Sequence, residues 1–257
     1  MGRKSTRFDF PNGRGQTLAG TLDRPAGEAE FCGIFAPCFT CTKDSHGASK
    51  ICRAMADGGA AMLRFDLTGL GGSEGDFADT NFSTRILDIV AACRAVEAEF
   101  GAAKLLVGHS ISGTACLSAA KDLPDLQAVA TLGSPCDPAY IIEKFERNHQ
   151  IVEKAGGMVE VNIMGRPVLF RKSFAADMRA QNTAADTAAL KPKLFIFHAP
   201  HDNIVAFDNA EKIAARVTGE YELIPLDANA THLFENRAED ALFVAETLLE
   251  WFRVHLK

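Results

Sequence analysis

No stretch of the 257 residues approaches the roughly 18 to 20 consecutive apolar positions that a membrane-spanning helix needs. The opening, MGRKSTRFDF, is basic, but no apolar segment of the kind that marks an export signal accompanies it. Positive charge is scarce as well: 27 Lys and Arg stand against 33 Asp and Glu, a formal charge of −6. The densest basic cluster, Arg166 to Lys172, is too small for a nucleic-acid surface, which needs a concentrated Lys/Arg face. Seven cysteines, an odd number, are scattered singly except for one Cys-x-x-Cys, Cys38 and Cys41. Without an export signal they are expected to be reduced thiols in a cytoplasmic protein. There is no internal repeat and no low-complexity linker.

What remains is ordinary globular composition, 47% hydrophobic and 23% charged. The length suits one large α/β domain or two small ones. From residue 31 onward, apolar β-type runs alternate with helical patterns. FCGIFAPC precedes a helix at about 46 to 57, with Asp44 and Ser45 as capping side chains in front and Gly58-Gly59 behind. AAMLRFDL is the next strand, followed by a Gly-rich turn and a helix over about 82 to 99. KLLVGHS leads into the helix ISGTACLSAAKDL, and AVATLGSP, KLFIFHAP and EYELIPLD are three further strands. Residues 238 to 252 form an amphipathic helix. Continuous apolar strands interleaved with helices predict a mostly parallel, doubly wound sheet of about eight strands with helices on both faces.

Two segments interrupt this rhythm. TRFDFPNGRGQTLAGTLDRP has the turn signals of an antiparallel hairpin at the sheet edge. Residues 137 to 190 are too long for a plain crossover. They contain GMVEVNIMGRPVLFRKSF, a hairpin turning near Met164-Gly165, and are expected to form a lid within a single domain spanning residues 1 to 257.

The sharpest chemical signal is LLVGHSISG, where an apolar strand ends in Gly108-x-Ser110 and a helix begins. A serine on so tight a turn is raised above the sheet, and only small neighbours tolerate the backbone conformation. In the G-x-S-x-G pattern the last position is glycine; here Ser112 occupies it and Gly113 follows. Such a nucleophile needs a base, and the base an orienting carboxylate, in chain order Ser, acid, His. Asp202 lies just beyond KLFIFH, and His232 lies in the loop after YELIP. Asp137 is the second choice for the acid. Among the other histidines, His198 lies within a strand, His201 beside the acid and His109 beside the serine with its side chain expected to point away. His46, His149 and His255 are solvated or terminal. The oxyanion of an acyl transfer needs two N–H donors. One is the Ile111 N–H, and the other must come from the loop PCFTC. That loop has rival readings. A redox dithiol belongs at a helix N-terminus, whereas here the capping residues put the helix start beyond Cys41. A zinc site would need a second ligand pair, and no other Cys-x-x-Cys is present.

In PCFTCTKDSH, LRFDLTGLGGSEGDF, GHSISG and HAPHDNIV with the later THL, the chain resembles the α/β-hydrolase superfamily over nearly its full length. It is most similar to small feruloyl-esterase-like hydrolases and to the hydrolase half of α/β-hydrolase/OsmC-type proteins. The esterase group reads His-Gly-Phe-Thr at the oxyanion loop, which implies Phe39 as the second backbone donor. Pro37 and Cys38 stand where that group has His and Gly, and Ala206 replaces a frequent Pro after the acid. Asp66, Gly69, Gly71 and Ser73 match a structural turn of the family. The resemblance implies a serine esterase with Ser110, His232 and Asp202 as its catalytic residues. It implies no metal, no organic cofactor, and a small-molecule ester as partner. Alternatives are a non-catalytic binding protein of the same fold and a thiol redox module built on Cys38 and Cys41.

Overall fold

A computed structural model of the chain describes residues 2–163, 165–235 and 237–256. The first four strands are β1 (Lys4–Arg7), β2 (Phe10–Pro11), β3 (Thr17–Leu18) and β4 (Gly20–Arg24). They form the edge hairpin: β1 pairs antiparallel with β4, and β2 with β3 closes a small flap beside it. β4 then joins antiparallel to the parallel strands.

Those strands and their helices follow in strict alternation: β5 (Phe31–Ala36), α1 (His46–Asp57), β6 (Ala60–Phe65), α2 (Phe82–Phe100), β7 (Leu105–His109), α3 (Ile111–Ala119) and β8 (Ala128–Leu132). The main sheet has eight strands, and β5, β6, β7 and β8 are parallel within it. Successive residues feed opposite faces. Leu105 and Val107 join the core under α1, whereas Leu106 joins the core under α2 and α3. Both faces are covered, which is why these strands read as unbroken apolar runs.

Next comes the long segment: α4 (Ala139–Arg147), β9 (Ile151–Lys154), β10 (Met158–Ile163), β11 (Arg166–Arg171), α5 (Ser173–Arg179) and α6 (Thr183–Ala188). The expected hairpin is β10 with β11, paired from Met158↔Arg171 to Ile163↔Arg166. Gly165 follows the turn position at φ +83°, and Met164 lies outside the described residues. β9 adds a third antiparallel strand that the sequence did not reveal. Four residues, three of them exposed, carry too little alternation to read.

The sheet resumes with β12 (Lys193–His198), α7 (Asp208–Arg216), β13 (Tyr221–Pro225) and α8 (Ala238–His255). Its full order is β1-β4-β6-β5-β7-β8-β12-β13. α8 packs with α1 on one face, while α2, α3 and α7 cover the other. This is the α/β-hydrolase arrangement.

One local expectation fails. Ser45 is the N-cap of α1, yet neither it nor Asp44 caps the helix with its side chain. Asp44 instead accepts from the buried guanidinium of Arg64, which also bonds Asp23 at 2.7 Å. A buried cation without partners is costlier than an uncapped helix end.

Candidate active site

At the end of β7, Ser110 has φ 57° and ψ −131°, a conformation that residues with a Cβ avoid. The glycines around it make the turn possible. A Cβ on Gly108 would stand 2.5 Å from the Gly113 backbone, and one on Gly113 would run into the Ser134 hydroxyl. The close approach that the usual glycine would provide at position 112 is therefore taken over by Gly113. Ser110 N–H donates to the Leu132 carbonyl at 2.7 Å, tying the turn to the end of β8. Ser110 is 5% exposed, and its hydroxyl makes no hydrogen bond among the described residues. Ile111 begins α3, so its N–H has no partner within the helix.

Asp202 and His232 come together. Asp202 Oδ1 accepts from the N–H groups of Ile204 and Val205 at 2.8 and 2.9 Å. Its Oδ2 accepts from His232 Nδ1 at 2.6 Å. Burial pushes the Asp202 carboxyl up, but the His232 hydrogen bond and the two backbone donors outweigh it and hold the group below the usual carboxylate range. An ionised Asp202 accepting at Nδ1 fixes the proton there and leaves the lone pair on His232 Nε2. Gly133, at φ +56°, lies directly behind this pair. A Cβ there would sit 3.1 Å from His232 Nδ1 and 3.2 Å from Asp202 Oδ2. Sequence reasoning did not single out Gly133, although the Leu-Gly-Ser at the end of an apolar strand was available as a signal.

Asp137 is not part of this pair. Its carboxylate accepts from Ala139 N–H at 2.8 Å at the start of α4. His198 is buried, donates through Nε2 to the Val205 carbonyl at 2.8 Å, and stands 3.7 Å from Asp202. Burial lowers its pKa. His46, His149, His201 and His255 are exposed. The His109 ring lies 5.1 Å from the His232 ring, and its Nε2–H donates to the His232 carbonyl at 2.7 Å.

The reading of all seven cysteines as reduced thiols is corrected for two of them. Cys38 and Cys41 form a disulfide, with Cα atoms 5.1 Å apart, because the loop after β5 folds back on itself over three residues. The other five are free and buried. Burial drives their thiols away from the thiolate form, Cys32 up to about 12. A bonded pair is not what a reducing compartment normally leaves in place, so cysteine usage gives no ground for placing the chain in the cytoplasm. Cys38, Cys41 and His109 bring three possible ligand atoms within 4.8 Å. With both sulfurs spent on each other, however, the group lacks the thiolates a metal would need. Among the described residues, no helix is long and apolar enough to cross a membrane.

Phe39 sits at the centre of an aromatic cluster. Its ring lies 5.7 Å from Phe170 and 5.8 Å from Phe174, both contributed by the 137–190 segment. Phe77 flanks it at 6.1 Å. That segment is thereby packed against the loop after β5.

No family model matches the sequence, and no curated protein matches it. Among solved structures, the esterase domain of a Rhodothermus marinus protein is 34% identical, each chain covering 98% of the other, with a TM-score of 0.74. Est1E from Butyrivibrio proteoclasticus, solved with ferulic acid bound, is 19% identical over 96% of this chain and 98% of that one, with a TM-score of 0.75. Dienelactone hydrolase from Anabaena variabilis shares 17% identity over the whole of both chains, with a TM-score of 0.71. The last two show likeness of fold alone.

Proposed function

The chain belongs to the α/β-hydrolase superfamily, and from that premise we propose that it is a serine hydrolase of carboxylic esters. The observation that carries this reading is the 2.6 Å hydrogen bond from His232 to a buried, ionised Asp202, together with a serine held at positive φ. Ser110 Oγ attacks the ester carbonyl, and His232 Nε2 takes its proton. Asp202 holds the imidazole in the right tautomer and balances the imidazolium. The oxyanion is met by the Ile111 and Phe39 N–H groups, the former at the positive end of α3. His232 then protonates the departing alcohol, an acyl-enzyme on Ser110 remains, and water releases the acid by the reverse proton path. No step calls for a metal or an organic cofactor, and the partner is a small-molecule ester.

The whole chain forms one catalytic domain in this reading. Residues 137–190 act as its lid, supported by the contact of Phe170 and Phe174 with Phe39. The Rhodothermus marinus neighbour, an esterase domain, supports ester hydrolysis in particular. The Cys38–Cys41 disulfide favours one second reading, thiol–disulfide exchange at that pair. Against it, α1 begins at His46, well past Cys41, so no helix N-terminus lowers either thiol pKa.

Two measurements test the proposal. A fluorophosphonate probe is expected to label Ser110, and p-nitrophenyl esters of graded acyl length are expected to be turned over. Absence of labelling in the folded protein would refute the hydrolase reading. Turnover that follows the redox state of the cysteines and ignores Ser110 would favour the thiol reading instead.

A further inference from the structure

Arg85, on α2, is a buried cation without a counter-ion: it is 6% exposed and makes no ion pair among the described residues. The nearest acid on its helix, Asp88, is already engaged by Arg14 at 2.7 Å and by Thr68. Burial draws the Arg85 guanidinium down to about 10, which leaves it charged at neutral pH. Among the described residues, every hydrogen-bond partner of its side chain belongs to the loop after β5 or to the helix that follows Ser110. Nη1 donates to Ser112 Oγ at 2.7 Å and to the Cys38 carbonyl at 3.4 Å. Nη2 donates to the Phe39 carbonyl at 3.2 Å, and the guanidinium carbon lies 5.5 Å from the centre of the Phe39 ring. Ser112 passes its own hydrogen on to the Pro37 carbonyl.

Three consecutive carbonyls, those of Pro37, Cys38 and Phe39, are therefore held from one side by two side chains. There are no cis peptides among the described residues. In a planar trans peptide, the C=O of one residue and the N–H of the next point in opposite directions. Fixing these carbonyls thus turns the N–H groups of Cys38, Phe39 and Thr40 away from Arg85. None of the three donates a hydrogen bond among the described residues. The guanidinium on the Cys38 and Phe39 carbonyls also polarises those two peptides and strengthens the Phe39 and Thr40 N–H groups as donors.

We propose that Arg85 and Ser112 are positioning residues that hold the 37–39 loop so that the Phe39 N–H is preset to receive the oxyanion. The proposal rests on the serine-hydrolase reading above. It gives a purpose to the serine at position 112. A glycine there could serve the turn but could not link the helix after Ser110 to Pro37. It also accounts for a buried charge that a purely structural loop would not need. Donors that are already aimed, and need no reorganisation as charge develops, contribute most to acyl transfer.

The test compares Arg85→Met, Arg85→Lys and Ser112→Ala with the wild type, using p-nitrophenyl ester kinetics and inhibition by a trifluoromethyl ketone. That inhibitor adds to the serine and places an oxyanion in the same site. Arg85→Met is expected to lower kcat by about 10²-fold, as loss of an oxyanion donor does, with KM within roughly twofold. Ser112→Ala is expected to lower kcat about tenfold, the worth of one good hydrogen bond. In each variant the inhibition constant is expected to rise by the factor by which kcat/KM falls, and Arg85→Lys to recover part of the loss. If Arg85→Met does not fold, Ser112→Ala decides by the same two readouts. Wild-type kcat and inhibition in a folded variant, or a loss confined to KM, would overturn the clamp. A wild type that neither turns over esters nor takes up fluorophosphonate would overturn the hydrolase reading itself, a different result from an active wild type with unaffected variants.

Discussion

His109 Nε2 and the main-chain oxygen of His232 are 2.7 Å apart, so the residue before the proposed nucleophile anchors the backbone of the proposed base. The carbonyl can only accept, so His109 must carry its proton on Nε2. Burial pulls its pKa down to about 3, helped by the neighbouring His232. His198 is likewise depressed by burial.

The pH dependence of stability follows from these two rings. An unfolded histidine titrates near 6.5, well above the folded value of His109, so between these pH values the unfolded chain binds the extra proton. The stabilisation is complete above about pH 6.5 and is lost as pH falls through the range toward 3. For His109 the slope approaches about 1.4 kcal/mol per pH unit, and His198 adds in the same direction. Thermal unfolding followed from pH 7.5 to 4.5 is expected to show a falling melting temperature. In His109→Gln, which keeps a donor but cannot titrate, that fall is expected to be shallower. An unchanged slope would show that His109 is not a source of it.

Loss of the acid and base can be compared directly. His232→Ala is expected to be nearly as damaging to ester hydrolysis as loss of the serine, because such groups act as a unit. Asp202→Asn is expected to cost less than that but far more than Asp137→Asn, whose carboxylate accepts from Ala139 N–H at the start of α4 and from the Thr183 hydroxyl. Steady-state kinetics on the folded variants check the order. A more damaging Asp137→Asn would mean the acid is on the wrong strand.

The disulfide closes a loop of only four residues, so its contribution through the unfolded chain is about 2 kcal/mol. Removing it in a Cys38→Ser, Cys41→Ser double variant is expected to lower the melting temperature by roughly 5 °C. Most of the ester hydrolysis is expected to remain, since Arg85 and Ser112 still grip the loop. Adding reductant to the wild type is expected to reproduce both effects. A folded double variant with no activity would contradict the oxyanion-loop assignment and favour thiol chemistry.

What could be read in advance depended on how local its cause was. The alternation of apolar strands and helices, the turn at Ser110, and the loops holding Asp202 and His232 each follow from a few adjacent residues. So does the glycine moved to position 113, once Gly108 is seen to need a close neighbour. β9 was too short and too exposed to leave a pattern. The other misses come from long-range partners. Asp44 stands where a cap is expected, but Arg64, twenty residues on, claims its carboxylate. The Cys38–Cys41 bond depends on the loop's return path rather than on the spacing alone. Arg85 lies in an unremarkable helical stretch, STRIL, and nothing near it in sequence announces the loop 46 residues earlier that it holds.

Replacement of Ser110 by alanine tests the central assignment most directly. Hydrolysis of a p-nitrophenyl ester by Ser110→Ala, with contaminating esterase excluded and folding verified by circular dichroism, is expected to fall on the order of 10⁴-fold or more, with an unchanged spectrum. Substantial turnover in that folded variant would contradict the serine mechanism.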